Sequence, residues 1–257
     1  MRYALYFAPA PDSLLWQAGA TWLGRNPYPQ SVASHQPAVP GLSPERFHDL
    51  TRAPRRYGFH GTLKAPFRLA QAKDVKNLMA ALDSFCSLRH PFVIEDVAPR
   101  LISQSTTGFL ALCPRDYSQP LADLAADCVH AFDVFRDELT EAEIERRLKS
   151  GLSDRQRDLL DRWGYPYVME EFNFHMTLTG PIATGPIATG PIATGPIASG
   201  AGASEPAANG EAEQLRRAAE THFAKALIPG LRIDAISLFL EEQPGADFRF
   251  IRRYAFA

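Results

Sequence analysis

The sequence has little cysteine, no long hydrophobic run and no excess of charge of either sign. Its three cysteines form no Cys-x-x-Cys pair, so neither a disulfide framework nor a thiolate zinc site is expected, and a reducing cytoplasm is the predicted location. No apolar run approaches the roughly 20 residues that span a bilayer, and the N-terminus lacks the apolar region of a secretory signal. A net charge of −2 gives no general attraction to nucleic acid or to anionic membranes.

The pattern of apolar residues predicts strands in pairs with helices between them. The predicted strands are residues 2–8, 57–67, 92–103, 107–113, 167–178, 231–240 and 247–256. The predicted helices are residues 14–23, 44–50, 72–88, 119–149, 153–163 and 211–226. Because strands and helices do not alternate strictly, the expected class is α+β rather than a doubly wound parallel sheet.

Residues 180–210 have a different composition from the rest of the chain. The unit Gly-Pro-Ile-Ala-Thr recurs there with a period of five and gives way to a Gly/Ala/Ser/Glu stretch. A proline at every fifth position excludes a helix and a central strand, and too little apolar surface is available to offset the ordering of the chain. We therefore predict a disordered low-complexity loop within a single domain of residues 1–257.

Two short segments of the chain carry the same motif on predicted strands. They are Phe59-His60-Gly61-Thr62-Leu63 and Phe174-His175-Met176-Thr177-Leu178. Since side chains alternate between the faces of a strand, His60 and Thr62 share one face and their apolar neighbours share the other. His175 and Thr177 repeat this arrangement. Two such faces across a groove could hold a tetrahedral phosphate between them.

Histidine and threonine are suited to phosphodiester cleavage. One neutral imidazole can take a proton from the attacking oxygen and a protonated one can donate to the leaving oxygen, while hydroxyls donate to the non-bridging oxygens. A single His-x-Thr is more often an incidental solvated face, and it is the duplication that favours function. The remaining histidines lack such a context and are expected at the surface or in packing; they are His35, His48, His90, His130 and His222.

Lys64 is the strongest cationic candidate because it shares strand parity with His60 and Thr62. A lysine on that face would hold an anionic substrate, although basic residues around such a motif are more often solvated charges. The chain has no HExxH motif, no cysteine pair and no closely spaced histidine cluster, so neither a metal nor another cofactor is expected.

These motifs resemble those of the two-histidine (2H) phosphoesterase superfamily. The resemblance extends to the longer segments Tyr57–Phe67 and Glu171–Pro181 and to the N-terminal Arg2–Pro9. Within that superfamily the chain is similar to a phosphonate-metabolism family often encoded beside carbon–phosphorus lyase genes. The resemblance implies a bilobal α+β fold with two pseudo-symmetric lobes around a central cleft. It also implies His60 and His175 as the catalytic pair, Thr62 and Thr177 as phosphate-binding hydroxyls, and a small phosphorylated or cyclic-phosphate substrate linked to phosphonate metabolism.

Three functions follow from these observations. The leading one is a metal-independent hydrolase of the cyclic phosphodiesterase type, acting on a small phosphorylated substrate. The second is an RNA-end 2′,3′-cyclic phosphodiesterase or ligase-like enzyme, against which the net charge of −2 counts mildly. The third is a non-catalytic module that binds a phosphorylated ligand. Nucleic acid is otherwise an unlikely partner except as a small nucleotide or an RNA end, and the sequence leaves the oligomeric state open.

Overall fold

The computed structural model describes residues 1–28, 35–104, 107–183 and 210–257. The strands are β1 (Arg2–Phe7), β2 (Gly61–Phe67), β3 (Phe92–Ile94), β4 (Val97–Gln104), β5 (Thr107–Pro114), β6 (Met176–Thr177), β7 (Ile182–Ala183), β8 (Leu231–Ile233), β9 (Ala235–Glu241) and β10 (Arg249–Ala255). The helices are α1 (Leu14–Leu23), α2 (Pro44–Leu50), α3 (Arg52–Arg55), α4 (Val75–Cys86), α5 (Gln119–Phe132), α6 (Glu141–Leu148), α7 (Asp154–Trp163) and α8 (Gly210–Leu227). Antiparallel strands and interspersed helices confirm the mixed α+β class.

The main sheet has the strand order β10-β9-β1-β2-β6-β5-β4, and β7 adds to β5. All of its pairings are antiparallel. β2 and β6 are joined by one residue pair, Gly61 with Met176, whereas β4 and β5 pair from Val97 to Gln104. The sheet is therefore held together most weakly at the point where the two motifs meet.

Alternate residues of the strands supply two separate cores. Leu5, Phe7 and Leu63 belong to the main core, which also takes residues from α1, α4, α5 and α8. Ala4 and Tyr6 point to the opposite side of β1 and join a smaller cluster with Trp16, Phe239 and Phe248. The period of two along β1 thus separates a large packing face from a second face on which the smaller cluster lies.

Helix starts follow the capping residues of the sequence. The Ser13 and Ser43 hydroxyls accept hydrogen bonds from the first turns of α1 and α2, and α2 has a proline at its start. α6 and α7 begin with capping boxes at Thr140 and Ser153. Gly24 ends α1 in the left-handed conformation, with φ of 69°, as expected of a helix stop.

Two predicted strands are much shorter than expected. The strand predicted over 57–67 begins only at Gly61, because Gly58 takes a left-handed φ of 81° that interrupts the extended backbone. The strand predicted over 167–178 is a 3-10 turn at Met169–Glu171 followed by the two-residue β6. In both cases the alternation of large residues reflects packing of a turn against the core rather than a continuous ladder.

Four other predictions need correction. The helix predicted over 119–149 is interrupted between α5 and α6, where a 3-10 turn at Asp133–Phe135 leads into Arg136 with extended backbone. The strands predicted over 92–103 and 231–240 are each split, since β3 and β8 pair with each other in a separate sheet, whereas β4 and β9 belong to the main sheet. Ile182 and Ala183, placed in the predicted loop, form β7 against β5. Most of that loop, residues 184–209, lies outside the described residues.

The cysteines are unpaired and buried. Cys86, Cys113 and Cys128 lie in α4, β5 and α5 respectively. Burial raises the pKa of Cys86 to about 11 and that of Cys113 to about 12. Among the described residues, no helix combines the length and the apolar character needed to cross a membrane.

Candidate functional site

The two motifs meet at the single pair that joins β2 to β6. Gly61 stands opposite Met176 in an antiparallel register. Counting outward from this pair places His60 opposite Thr177 and Thr62 opposite His175, and paired residues of an antiparallel ladder project to the same face. The structure thus brings together all four residues that the sequence predicts for acid–base work and phosphate binding.

Both imidazoles are oriented by the same local hydrogen bond. Nδ1 of His60 lies 2.9 Å from the carbonyl oxygen of Gly58, and Nδ1 of His175 lies 2.9 Å from that of Asn173. Because a carbonyl only accepts, each Nδ1 carries the proton and each Nε2 of a neutral ring is left as the acceptor. The two histidines therefore present chemically equivalent Nε2 atoms.

Both histidines are half-buried and favour the neutral form. Burial lowers the pKa of His60 to about 4, against an opposing effect of the Gly58 hydrogen bond, and the charge of His175 lowers it further. Burial also lowers the pKa of His175, against the hydrogen bond to Asn173. Since the register around Gly61 and Met176 brings both motifs to one junction, a charge on one ring disfavours a charge on the other.

The Thr62 hydroxyl lies beside the ring of His60. Oγ1 of Thr62 is 3.3 Å from Nε2 of His60, so the hydroxyl and the acceptor nitrogen face the same point. Thr62 and Thr177 are both half-buried and thus remain accessible to a ligand. A hydroxyl that is both donor and acceptor can turn from the ring nitrogen to a phosphate oxygen.

Aromatic side chains surround the two rings unequally. The ring of Tyr6 stacks on His60 with a centroid separation of 3.8 Å and an interplanar angle of 29°, whereas Phe109 contacts His175 at 5.5 Å and 59°. Tyr6 stands opposite Thr62 in the β1–β2 register. No local pattern in the sequence singles out Tyr6, because its alternation shows only which face it occupies and not which strand lies beside it.

The one difference between the two motifs has a steric reason. A Cβ atom added to Gly61 would lie 2.3 Å from the ring of Phe174, well inside van der Waals contact. The ring of Phe174, in the second motif, occupies the space where a side chain at position 61 would lie. Met176 takes the place of this glycine in the second motif, and its side chain is fully buried. The glycine thus permits the close approach of the two strands.

The chain after the second motif is fixed by tertiary hydrogen bonds. The Leu110 backbone N–H donates to the Thr179 hydroxyl at 2.9 Å, and Leu178 N–H donates back to the Leu110 carbonyl at 2.8 Å. The indole N–H of Trp22 donates to the Leu178 carbonyl at 3.0 Å. A two-residue strand is therefore held mainly by its flanks, a feature that no local pattern in the sequence signals.

The prediction that Lys64 shares a face with Thr62 is wrong, because an irregularity in the β1–β2 register pairs Thr62 with Tyr6 but Lys64 with Leu5, whose side chain lies in the main core. The Lys64 amine is also already engaged. Nζ donates to Oδ1 of Asp133 at 3.1 Å and to the carbonyl of Val129 at 3.4 Å, and the side chain is 4% exposed. It thus points toward α5 rather than into open space between the histidines. Among the described residues, no group of three or more His, Cys, Asp or Glu side chains is gathered in a way that could hold a metal ion.

The chain belongs to a protein family whose model matches residues 62–190, just over half of its length. That family is described as "Protein of unknown function (DUF1045)". The matched range contains both threonines and the second histidine of the site, and His60 lies two residues before it.

Two curated relatives carry the name "Ribose 1,5-bisphosphate phosphokinase PhnN". The protein of Janthinobacterium sp. (strain Marseille) is 39% identical over 259 residues and that of Laribacter hongkongensis (strain HLHK9) is 32% identical over 252 residues. These matches cover 100% and 98% of this chain, which spans only 51% of each relative. A solved structure titled "Crystal structure of phosphoesterase" aligns with 13% identity and a TM-score of 0.38, over 100% of this chain and 98% of that one.

Proposed function

We propose that the protein is a phosphoric diester hydrolase of the two-histidine type that opens a small cyclic phosphodiester. The observation that carries the proposal is the matched pair of Nδ1–carbonyl hydrogen bonds, which leaves two Nε2 atoms as acceptors on the strand face that carries Thr62 and Thr177. The single-pair junction of β2 and β6 supports a cleft between two lobes, the arrangement that the family resemblance implies.

Hydrolysis in this site requires one proton removed and one delivered. Nε2 of one histidine takes a proton from water as its oxygen attacks phosphorus, and the P–O bond to the leaving oxygen breaks. The second histidine, as an imidazolium, gives its Nε2 proton to that oxygen. Thr62 and Thr177 donate to the non-bridging oxygens, where negative charge grows. The products are a phosphate monoester and a free hydroxyl.

The bound phosphodiester supplies the protonation state that the free site lacks. Burial keeps both rings neutral in the free protein, so the general acid must gain its proton when the anion binds. A phosphate anion beside Nε2 favours the imidazolium. We therefore propose that substrate binding takes up a proton; which histidine receives it depends on which side the leaving group occupies.

The substrate class is a small phosphorylated sugar or nucleotide. The curated relatives are named for ribose 1,5-bisphosphate, which fits a sugar phosphate and the proposed link to phosphonate metabolism. This chain contains no Gly-Lys dipeptide and hence no P-loop of the GxxxxGK[ST] type. We propose that the kinase activity in the relatives' name resides in the half of those proteins that this chain does not span.

The test is hydrolysis of a panel of cyclic phosphates by the purified protein, followed by phosphorus NMR. The panel contains nucleoside 2′,3′-cyclic phosphates and cyclic phosphates of ribose. His60→Ala and His175→Ala are each expected to lower kcat by about 100-fold or more, the usual contribution of a general acid or base. His90→Ala is the matched control, because His90 is exposed and its Nδ1 lies 3.4 Å from the carbonyl oxygen of Ala257, near helix and strand ends that belong to neither motif.

The alternatives give different outcomes. Turnover that survives both histidine substitutions would overturn the assignment of the site. Binding of cyclic phosphates without turnover would favour a non-catalytic phospho-ligand module. A strong preference for cyclic phosphates at RNA ends over mononucleotides would favour the RNA-end enzyme.

A further inference from the structure

A row of paired residues crosses three strands of the main sheet and ends at the candidate site. Arg100 of β4 is paired with Ala111 of β5, and Ala111 is paired with Thr177 of β6. Because paired residues of an antiparallel ladder project to the same face, these three side chains share one face of the sheet. Thr177 belongs to the second motif, so the row leads from the edge strand β4 directly to the site.

The neighbours of this row along the three strands establish which face it occupies. Those neighbours belong to the main core or pack against it; they are Leu101, Leu110, Leu112 and Met176. Both pairings run without a register shift, so the alternation of side chains is not interrupted. Arg100 and Ala111 therefore lie on the opposite face from the main core, as Thr177 does.

The distance along the row suits a phosphate bound between its two ends. Neighbouring strands lie about 4.8 Å apart, which places the Cα atoms of Arg100 and Thr177 about 10 Å apart. Ala111 contributes only a methyl group between them. Arginine carries its guanidinium on a three-methylene stem and can extend over a methyl group, so a phosphate beside the Thr177 hydroxyl lies within its reach.

Arg100 differs from Arg2, another arginine on this face of the sheet, in its ion pairing. Arg2 lies on the same face of β1 as Tyr6, and the carboxylate of Glu241 pairs with it. Among the described residues, Arg100 is hydrogen-bonded to the carbonyl oxygen of Arg115, 3.3 Å from Nη1, and to no carboxylate. Its positive charge is therefore available to an anionic ligand.

The two motifs supply no fixed positive charge for such a ligand. Burial lowers the pKa of both imidazoles, so they are neutral in the free protein. The amine of Lys64 is engaged by Asp133 and by the carbonyl of Val129. A phosphate that leaves water for a half-buried site requires compensation of its charge. A guanidinium is well matched to it, since several N–H donors in one plane can bind two of its oxygens.

We propose that Arg100 is a substrate-binding residue of this site, whose guanidinium binds the non-bridging oxygens of the phosphate held beside Thr177. This inference rests on the proposed function and adds to it the cation that the two motifs do not contain. The cation comes from β4, at the edge of the sheet, rather than from β2, where the position of Lys64 in the sequence suggests it.

Calorimetry with inorganic phosphate measures this contact without turnover. Arg100→Gln is expected to weaken phosphate binding by about tenfold or more, the cost of losing a hydrogen bond to a charged group. Arg100→Lys keeps the charge but cannot form two parallel hydrogen bonds, and its affinity is expected to lie between those of Arg100→Gln and wild type.

The matched control is Arg252→Gln, at the opposite edge of the same sheet. Arg252 lies on β10 and is paired with Leu238 of the main core, so its side chain is on the other face. It forms an exposed ion pair with Asp83 at 2.7 Å, and such a pair contributes little to stability. This variant also loses one positive charge, and its phosphate affinity is expected to equal that of wild type.

A double-variant cycle tests whether Arg100 and Thr177 bind the same phosphate. Thr177→Val removes the hydroxyl with little change of shape. If both residues contact one phosphate, the loss of affinity in the Arg100→Gln, Thr177→Val double variant is expected to be smaller than the product of the two single losses, because residues with a shared partner are not additive. A loss equal to that product would overturn the proposal.

The binding measurements separate this inference from the proposed function. Phosphate binding that depends on Arg100 and is coupled to Thr177 supports the inference, even if no cyclic phosphate is hydrolysed. Equal phosphate affinities of Arg100→Gln and wild type overturn it, and so does the absence of phosphate binding in the wild-type protein. Both of these results would do so even if hydrolysis of cyclic phosphates is observed.

Discussion

The two histidine motifs present the same atoms but depend on different supports. His60 precedes the seven-residue β2, which pairs with β1, and its ring stacks on Tyr6 at 3.8 Å. His175 precedes the two-residue β6 and contacts Phe109 at 5.5 Å. Strand pairing and ring stacking thus fix the first histidine, while side-chain and backbone hydrogen bonds further along the chain fix the second. A duplicated motif need not have a duplicated support.

Gly61→Ala is expected to have the largest effect on the contact between the two motifs, since the added Cβ would lie 2.3 Å from the ring of Phe174. Phe174 is buried and cannot rotate freely, so its displacement would move the adjacent His175. We expect a loss of about 1–3 kcal/mol in the free energy of unfolding, typical of overpacking. We also expect kcat to fall about tenfold or more, because a misplaced His175 need raise the activation free energy by only about 1.4 kcal/mol to have that effect. Urea unfolding and the hydrolysis assay measure the two effects.

Gly210→Ala is the control for that substitution, because no atom lies within 4 Å of its added Cβ and its φ is not positive. It is expected to leave both quantities near their wild-type values. Wild-type activity in Gly61→Ala would show that the close contact between the two motifs is not needed for the site.

The unequal ring contacts predict unequal sensitivity of the two histidines. Tyr6→Leu removes the ring stacked on His60 and is expected to lower kcat/KM by up to about tenfold, since an aromatic pair contributes about 0.5–1.5 kcal/mol. Phe109→Leu removes a looser contact to His175, and a smaller loss is expected. Tyr6→Phe keeps the stack and isolates the hydroxyl. A larger effect of Phe109→Leu than of Tyr6→Leu would contradict the comparison.

The two imidazoles should also titrate below their ordinary range. The pKa of His60 is expected at about 4 and that of His175 below its usual value, with burial the main cause in both. Inorganic phosphate is expected to raise both, since an anion favours the imidazolium. Proton NMR of the ring protons with and without phosphate measures this, and His90 serves as the exposed reference. A pKa above 6.5 for both rings in the free protein would contradict the proposed proton uptake.

The smallest predicted effect is on stability and concerns the 3-10 turn at Met169–Glu171, which precedes the second motif. Met169 has a φ of 54°, a left-handed conformation that costs a residue other than glycine about 1–2 kcal/mol. Met169→Gly and Met169→Ala lose the same packing, but only glycine relieves the strain. Met169→Gly is expected to be about 1 kcal/mol more stable than Met169→Ala, as measured by thermal unfolding. Equal stabilities would show that this turn carries no strain.

The sequence predicts which motif side chains come together better than it predicts the strands that carry them. That His60 shares a face with Thr62, and His175 with Thr177, follows from their spacing alone, because side chains alternate between the two faces of a strand. The extent of the strands is missed at both motifs, because backbone conformations such as that of Gly58 are decided by the chain packed against them, here Pro27, which a Cβ on Gly58 would meet at 2.7 Å.

Long-range partners are outside the reach of sequence patterns. The engagement of Lys64 by Asp133 joins residues 69 positions apart, and the bond from Trp22 to Leu178 spans 156 positions. Neither leaves a local signature, since a buried lysine in a strand and a tryptophan in a helix are compatible with many partners. The sequence does not reveal which surfaces of the folded chain pack together. That packing decides whether a charged side chain is available to a ligand or is already engaged in an ion pair.

Two of the buried thiols, Cys86 and Cys113, report on different parts of the molecule. Only the thiolate reacts with an alkylating reagent, and burial suppresses that form at Cys86 and Cys113. Alkylation at each position therefore waits for its own surroundings to open. Cys113 lies next to Leu112, the residue paired with Met176 of the second motif, whereas Cys86 reports from α4. Mass spectrometry of the labelled peptides would measure the rate of local opening around α4 and around β5 in one experiment, with no engineered probe.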